Sequence, residues 1–279
     1  MPPDSLLPSG TATPRSRWRA ASTQTAHFVG RAALSLSGLV AAVAVWELVA
    51  VTGIFGAKEV PTPGTVWDSL ISLFQSGRGW PAWESSTRRV ILGVVIGMFL
   101  ATPVGFALGW YSRLRGGLEP LVNFCRAVPP IALIPLVIVY LGIGEIARVS
   151  VLVWATFFVC VIILYEGIRS INPIFIRAAE VLGANRREIF FKVVLPLSVP
   201  HILTATRVAL GVSWGTLVAA ELVAAQTGLG ATISQAADFF DIPLIYAGIL
   251  LIGATALVMD QFVRLITKRL LRWQDVIAR

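Results

Sequence analysis

The stretch "NPIFIRAAEVLGANRREIFFKVVLPLSVP", Asn172 to Pro200, places Arg177, Glu180, Arg186, Arg187 and Glu188 within a dozen positions of a chain in which only 14% of residues are charged. Its local signals are sharp. Asn172 caps a helix whose first residue is Pro173, and Gly183 stands where a left-handed residue ends one. Asn185 followed by Glu188 is a capping-box pattern for a second helix, which Pro196 should stop. The expectation is two helices of roughly ten residues, each about 15 Å long, meeting at a glycine elbow. Ala178 and Ala179 leave a shallow surface on the first helix, and Phe175, Leu182, Phe190 and Phe191 are free to plug into something else. An amphipathic loop lying on a bilayer and a docking element fit this spacing equally.

Long apolar runs flank the loop on both sides. With 56% hydrophobic residues and nine Trp, and a mean hydropathy of +0.78, the chain has the composition of a membrane protein. Six stretches approach the roughly 20 apolar residues needed to cross a hydrocarbon core: about Ala33 to Val51, Val90 to Trp110, Leu121 to Leu141, Ile146 to Tyr165, Ile202 to Ala225 and Leu244 to Leu265. Each should be a helix, because lipid gives backbone groups no partners. The fold class is therefore all-α, integral to the membrane, with six transmembrane helices. Residues 1–30, rich in Ser, Thr, Pro and Arg, read as a disordered tail rather than a cleaved leader. Residues 31–279 form the membrane domain, with the charged loop at about 169–200.

Charge sets the expected orientation. If the N-terminus is cytoplasmic, the inner segments hold Arg15, Arg17, Arg19, Arg31, Arg113, Arg115, Arg169, Arg177, Arg186, Arg187, Lys192, Arg264, Lys268, Arg269, Arg272 and Arg279. The outer segments hold only Lys58, Arg78, Arg88, Arg89 and Arg148. Retention of Lys and Arg on the cytoplasmic side puts both termini inside. The same bias accounts for the net charge of +8, and no basic patch interleaved with exposed aromatics points to nucleic acid.

The run "RAAEVLGANRREIFFKVVLP" resembles the signature cytoplasmic loop of ABC importer permeases: Glu-Ala-Ala, three residues, Gly, nine residues, a branched apolar residue, one more, then Leu-Pro. Ala178, Ala179, Gly183, Val193, Leu195 and Pro196 fall at those positions, with Arg177 in place of the leading Glu and Glu180 one turn further on. "PTPGTVW" (Pro61 to Trp67), "FCRAVPPIALIPLVIVYLGIGE" (Phe124 to Glu145) and "LVAAELVAAQTGLG" (Leu217 to Gly230) resemble the nitrate, taurine and alkanesulfonate branch. The resemblance implies a type I importer permease, not catalytic by itself, in the bacterial inner membrane. It implies a second permease copy, two ABC ATPase subunits that bind ATP and Mg, and an extracytoplasmic solute-binding protein. The cargo implied is a small anion such as a sulfonate, taurine or nitrate.

What the sequence lacks agrees with that division of labour. It has no phosphate loop of the G-x-x-x-x-G-K-[ST] kind. "GIGEIA" (Gly142 to Ala147) follows no strand and is no dinucleotide site. Cys125, Cys160, His27 and His201 are too scattered for a metal site. The rival reading, a secondary transporter or channel, predicts an internal repeat or a chain of intramembrane ionisable groups, and no repeat is visible.

Within the spans, Gly93, Gly97, Ala101, Gly105 and Gly109 recur every four residues and make a groove for close helix approach. Packing within the chain is the first reading of that stripe and a dimer seam the second. Pro129, Pro130 and Pro135 should break the third span near mid-depth, where irregular backbone is tolerated beside protein or a watery cavity. Arg126, Pro129, Pro130, Trp214 and Glu221 are the candidates for a translocation pathway, paired structural charges being the other reading of Arg126 and Glu221. Glu166, Arg207 and Asp260 lie near span ends, where they can snorkel to the interface. The segment "PTPGTVWDSLISLFQSG" should form an interfacial helix with Val66, Trp67, Leu70, Ile71, Leu73 and Phe74 on one face.

Overall fold

A computed structural model describes residues 37–38, 40–53 and 60–271. They fall in two compact units, residues 1–65 and 66–279. In the first, helix α1 (Val40–Thr52) is followed by Pro61, whose carbonyl accepts the indole N–H of Trp46 at 3.0 Å. Helix α1 covers most of the first expected span; the proposed tail of residues 1–30 lies outside the described residues. Helix α2 (Pro63–Gln75) is the expected amphipathic segment, with Val66 and Leu73 buried and Trp67 exposed.

The regular elements of the second unit are all helices among the described residues. Helices α3 (Gly79–Trp110), α4 (Ser112–Ala127), a 3-10 turn (Pro130–Leu133), α5 (Ile134–Leu141) and α6 (Glu145–Arg169) come first. They are followed by α7 (Pro173–Val181), α8 (Arg186–Ile189), a π turn (Phe190–Val194), α9 (Leu195–Ala224), α10 (Leu229–Asp238) and α11 (Ile242–Leu270). Helices α3, α6, the continuous rod Arg186–Val223 and α11 are each long and apolar enough to span a membrane. The pair formed by α4 and the segment Pro130–Leu141 qualifies together, bent by 83°. Of the six expected spans, four are thus helices of spanning length and a fifth is the broken pair, while α1 is shorter than a span among the described residues.

The glycine stripe decides the topology. A Cβ on Gly93 would lie 2.5 Å from Leu152 Cβ, one on Gly105 2.7 Å from Leu164 Cβ, and one on Gly109 2.8 Å from Ile168 Cβ; one on Gly97 would collide with Thr156. The pairs 93/152, 97/156, 105/164 and 109/168 share one offset, so α3 and α6 run in the same direction with their backbones in close approach. The stripe is therefore an intrachain seam. Thr156 adds a hydroxyl bond to the Gly93 carbonyl at 3.1 Å. Because the start of α6 at Glu145 falls level with Ser86 on α3, residues 112–144 must return the length of α3 from Ser86 to Trp110, about 36 Å at 1.5 Å per residue. The bent pair is that return, a broken span rather than a loop dipping in from one side.

Its break has the expected cause. Val128 and Pro129 are both extended (ψ 119° and 125°), as residues preceding a proline are. Pro135, by contrast, is absorbed in the first turn of α5, where a missing amide costs nothing. Helix α9 then runs antiparallel to α6: Cys160 approaches the Ala205 carbonyl, and Gly167 lies against His201. Arg207 and Asp260 do not snorkel separately; Arg207 Nε donates to Asp260 Oδ1 at 2.9 Å, tying α9 to α11. One end of the bundle thus gathers the starts of α3 and α6, the end of α9, and α10. The other gathers the end of α3, the end of α6 and the loop of residues 170–200.

Filling the seam should cost stability while adding a methyl elsewhere should not. Gly97→Ala overpacks against Thr156 and is expected to destabilise by about 1–3 kcal/mol, whereas Gly253→Ala on α11 meets nothing within 4 Å. Thermal unfolding of the detergent-purified protein should show a lowered midpoint for the first variant only.

Candidate functional site

The loop forms by the local rules its sequence displays. Asn172 is extended (φ −61°, ψ 122°), accepts a hydrogen bond from the Ile174 amide, and precedes Pro173 at the first position of α7. Helix α7 ends with the Ala184 amide on the Ala179 carbonyl at 3.0 Å and the Gly183 amide on the Glu180 carbonyl at 2.9 Å, the paired bonds of a Schellman motif. Gly183 has φ +80°, a conformation in which a Cβ is strained. Asn185 and Glu188 complete a reciprocal capping box, each side chain taking the other's backbone N–H at 3.0 Å. Lys192 closes on Glu188 at 3.1 Å.

The second helix does not stop at Pro196. Helix α8 has four residues and passes through the π turn into α9, giving one 38-residue rod, Arg186–Val223. A proline ring clashes with the carbonyl four residues back and leaves it without a donor; the wide π turn ending at Val194 relieves this by shifting to i+5 bonding. Leu195 and Pro196 thus lie in the first turn of α9, with Val193 inside the π turn.

The loop's face is sorted. Ile174, Phe175, Val181, Leu182 and Phe191 are exposed, Val181 at 88% and Leu182 at 86%. Arg177, Ala178 and Glu180 are exposed beside them, and Ala179 is half-buried. Phe190, expected to be available to another molecule, instead packs edge-on against Phe106 and Trp110 at 5.7 and 5.8 Å. It anchors the loop to α3.

At the opposite end lies a cluster that the sequence reading had divided. Arg89 was counted among outer-loop charges, yet it sits inside α3 with a side chain 1% exposed. Its guanidinium forks onto Glu145 at the start of α6, Nε to Oε2 at 2.8 Å and Nη2 to Oε1 at 2.5 Å. Its Nη1 donates to Glu221 Oε1 on α9 at 2.5 Å and to the Thr227 carbonyl at 2.7 Å. Arg148 adds a second cation to Glu145 at 2.8 Å.

Glu221 is saturated. It accepts from the Ser86 hydroxyl at 2.8 and 2.9 Å and from the Gly230 amide at 2.8 Å, while Ser86 Oγ accepts from the Leu229 amide at 2.8 Å. The first amides of α10 are thereby satisfied by α3 and α9, and the carboxylate sits at the positive end of α10. Gly228, at φ +141°, lets the chain fold over it; a Cβ there would lie 2.5 Å from the carboxylate.

Of the pathway candidates, Glu221 belongs to this cluster and Trp214 is buried two turns earlier on α9. Arg126 and Pro129 are exposed at the α4 break, with Pro130 half-buried there. Arg89 was nonetheless readable: the four-residue period of the glycine stripe, extended back from Gly93, reaches it. Glu145 and Arg148 lay hidden in the discarded "GIGEIA" and the residues after it.

Helices of spanning length packed in one bundle, with a loop exposed at one end and a charge cluster buried at the other, are those of an integral membrane protein. The chain belongs to the family described as binding-protein-dependent transport system inner membrane component, which matches residues 93–272. It is 41% identical over 242 residues to a probable ABC transporter permease protein of Brucella abortus, covering 87% of this chain and 96% of that one. It is 34% identical over 245 residues to the taurine transport system permease protein of Escherichia coli, covering 86% and 89%. In fold it resembles a bacterial ABC transporter that imports alginate, with a TM-score of 0.61 at 16% identity, over 88% of this chain and 99% of that one. The chain is thus an ABC permease of the binding-protein-dependent kind, an all-helical membrane component of a transport system.

The two carboxylates that share Arg89 should respond differently to removal. Glu221 is 0% exposed and Glu145 45%. Glu221→Ala strips a buried cation of its buried partner, a loss of about 3–5 kcal/mol; at Glu145 water can stand in. Chemical denaturation in detergent should rank Glu221→Ala well below Glu145→Ala.

Proposed function

We propose that this chain, paired with a second copy, forms the translocation pathway of an ATP-driven importer for a small anion, a sulfonate, taurine or nitrate. The observation that carries the reading is the loop of residues 169–200: a rigid, doubly capped elbow with an exposed apolar face, continuous with a spanning helix. Two partner ATPases would hold ATP and Mg and grip Ile174, Phe175, Val181 and Leu182, with Arg177, Ala178, Ala179 and Glu180 along the same helix. Closure of the ATPase pair then moves the elbow as a body, and the rod Arg186–Val223 carries that motion into the membrane. The taurine relative supports the sulfonate class of cargo.

The loop end is the cytoplasmic one on this reading. It carries Arg113, Arg115, Arg169, Arg177, Arg186, Arg187 and Lys192, while at the far end Arg89 and Arg148 are neutralised by Glu145 and Glu221. Such an imbalance favours retention inside, with both termini in the cytoplasm of a bacterial inner-membrane protein. The solute-binding protein would deliver cargo at the charge-cluster end. In vesicles holding the chain with its ATPase and binding protein, taurine or an alkanesulfonate should accumulate only with ATP. Accumulation driven by a proton or sodium gradient without the ATPase would make it a secondary transporter.

The elbow offers a sharper check. Nothing lies within 4 Å of a Cβ at Gly183, so a Cβ there meets only backbone strain, about 1–2 kcal/mol, and Gly183→Val costs more because valine is β-branched. Gly183→Asn tolerates the left-handed turn. Co-purification with the ATPase should fall for the valine variant and persist for the asparagine one, with the spans inserted in both. Equal co-purification would remove the loop from the docking role.

A further inference from the structure

Resting on the importer reading above, we propose that Arg89 is the positioning residue of a lock at the end opposite the coupling loop, and that its bond to Glu221 parts each time the pathway opens there. The bonds of the cluster fall into two groups. Arg89 and Glu145 sit on helices welded along the glycine seam, so their fork is internal to the α3–α6 pair. Glu221 and the Gly230 amide are internal to α9 and α10. Between the two groups run Arg89 to Glu221, Arg89 to the Thr227 carbonyl, Ser86 to Glu221, and the Leu229 amide to Ser86. Those polar bonds, together with the apolar contact of Ala220 on α9 against Val151 on α6 and Ile134 on α5 beside them, make the separable surface.

The packing permits separation at one end. Helices α6 and α9 are in close approach at Cys160 with Ala205 and at Gly167 with His201, toward the loop. Contact held there leaves α9 and α10 able to swing from α3 at the cluster. The lever exists too: Glu221 lies near the far end of the rod that begins at Arg186 in the loop. Displacement of the loop therefore reaches Glu221 along one continuous helical rod, whose π turn and prolines lie near its loop end.

Energetics make the lock two-state. Closed, every charge is paired. Fully open, Arg89 keeps Glu145, Glu221 keeps the Gly230 amide at the N-terminus of α10, and entering water hydrates what each has lost. A half-parted, dry arrangement has neither partner nor water and is the costly one. Buried ion pairs contribute little net stability, but this one penalises the states between closed and open.

The test uses the full chain reconstituted with its ATPase and binding protein, in a Cys125→Ala, Cys160→Ala background. Leu217→Cys reports opening, since Leu217 is 0% exposed and lies one turn before Glu221 on α9. Without ATP, Glu221→Gln should raise the rate of labelling by a water-soluble maleimide about tenfold, the equilibrium worth of a charge-assisted hydrogen bond. It should also raise ATP hydrolysis in the absence of the binding protein. Asp260→Asn, which cuts the Arg207 pair elsewhere on α9, should label at the parental rate. Equal labelling of the parent and Glu221→Gln overturns the lock. So does an equal rise with Asp260→Asn, which would mean general loosening. ATP-driven uptake by the parental complex is scored separately, so failure of the importer reading shows in uptake and failure of the lock in labelling.

Discussion

The close approach of α3 to α6 is the constraint from which the rest of the architecture follows. Once Gly93, Gly97, Gly105 and Gly109 seat against Leu152, Thr156, Leu164 and Ile168, the two helices must point the same way. The chain between them must then cross back, and the double proline at 129–130 shapes that return. Arg89 continues the stripe by one turn. The face that brings the backbones together therefore also delivers a guanidinium to the first turn of α6, where Glu145 waits.

That the delivered side chain is charged has a local reason. Helix α9 ends and α10 begins within a few residues, and a helix start leaves amides without partners inside the helix. In an apolar bundle such groups cannot be left to solvent. Ser86 accepts from the Leu229 amide and Glu221 from the Gly230 amide, Arg89 donates to the Thr227 carbonyl, and the carboxylate and guanidinium neutralise each other. The cluster solves a backbone problem with side-chain charge, which is why it is compact and nearly fully satisfied.

Much of this could be read in the sequence because it is governed by short-range rules. Asn172, Pro173, Gly183, Asn185 and Glu188 act over three or four residues, and each does in the fold what its spacing implied. The glycine stripe and the proline break were legible for the same reason. What escaped was set by tertiary context. Pro196 looked like a stop, but a π turn ahead of it carries the helix through. Arg89 looked like a loop charge beside Arg88, because nothing local distinguishes a cation with a buried partner 132 residues away from one in water. Phe190 looked available because its pocket, Phe106 and Trp110, comes from a different helix.

Continuity of α8 with α9 changes what the loop can do mechanically. A helix ending at Pro196 would have left a flexible joint between the exposed elbow and the span. Instead both ends of one rod are fixed: Phe190 is wedged between aromatic rings of α3 at one end, and Glu221 is held by Ser86, Arg89 and α10 at the other. Compliance is confined to the π turn and to Pro196 and Pro200, where backbone bonds are widened or missing. A push on the elbow has two outlets, bending at that base or parting the polar bonds at the tip. The base is packed against α6 through His201 and Ala205, whereas the bonds at the tip can be replaced by water. On the proposed importer reading the weaker outlet is the tip, and motion applied to the loop at one end of the bundle is resolved at the other.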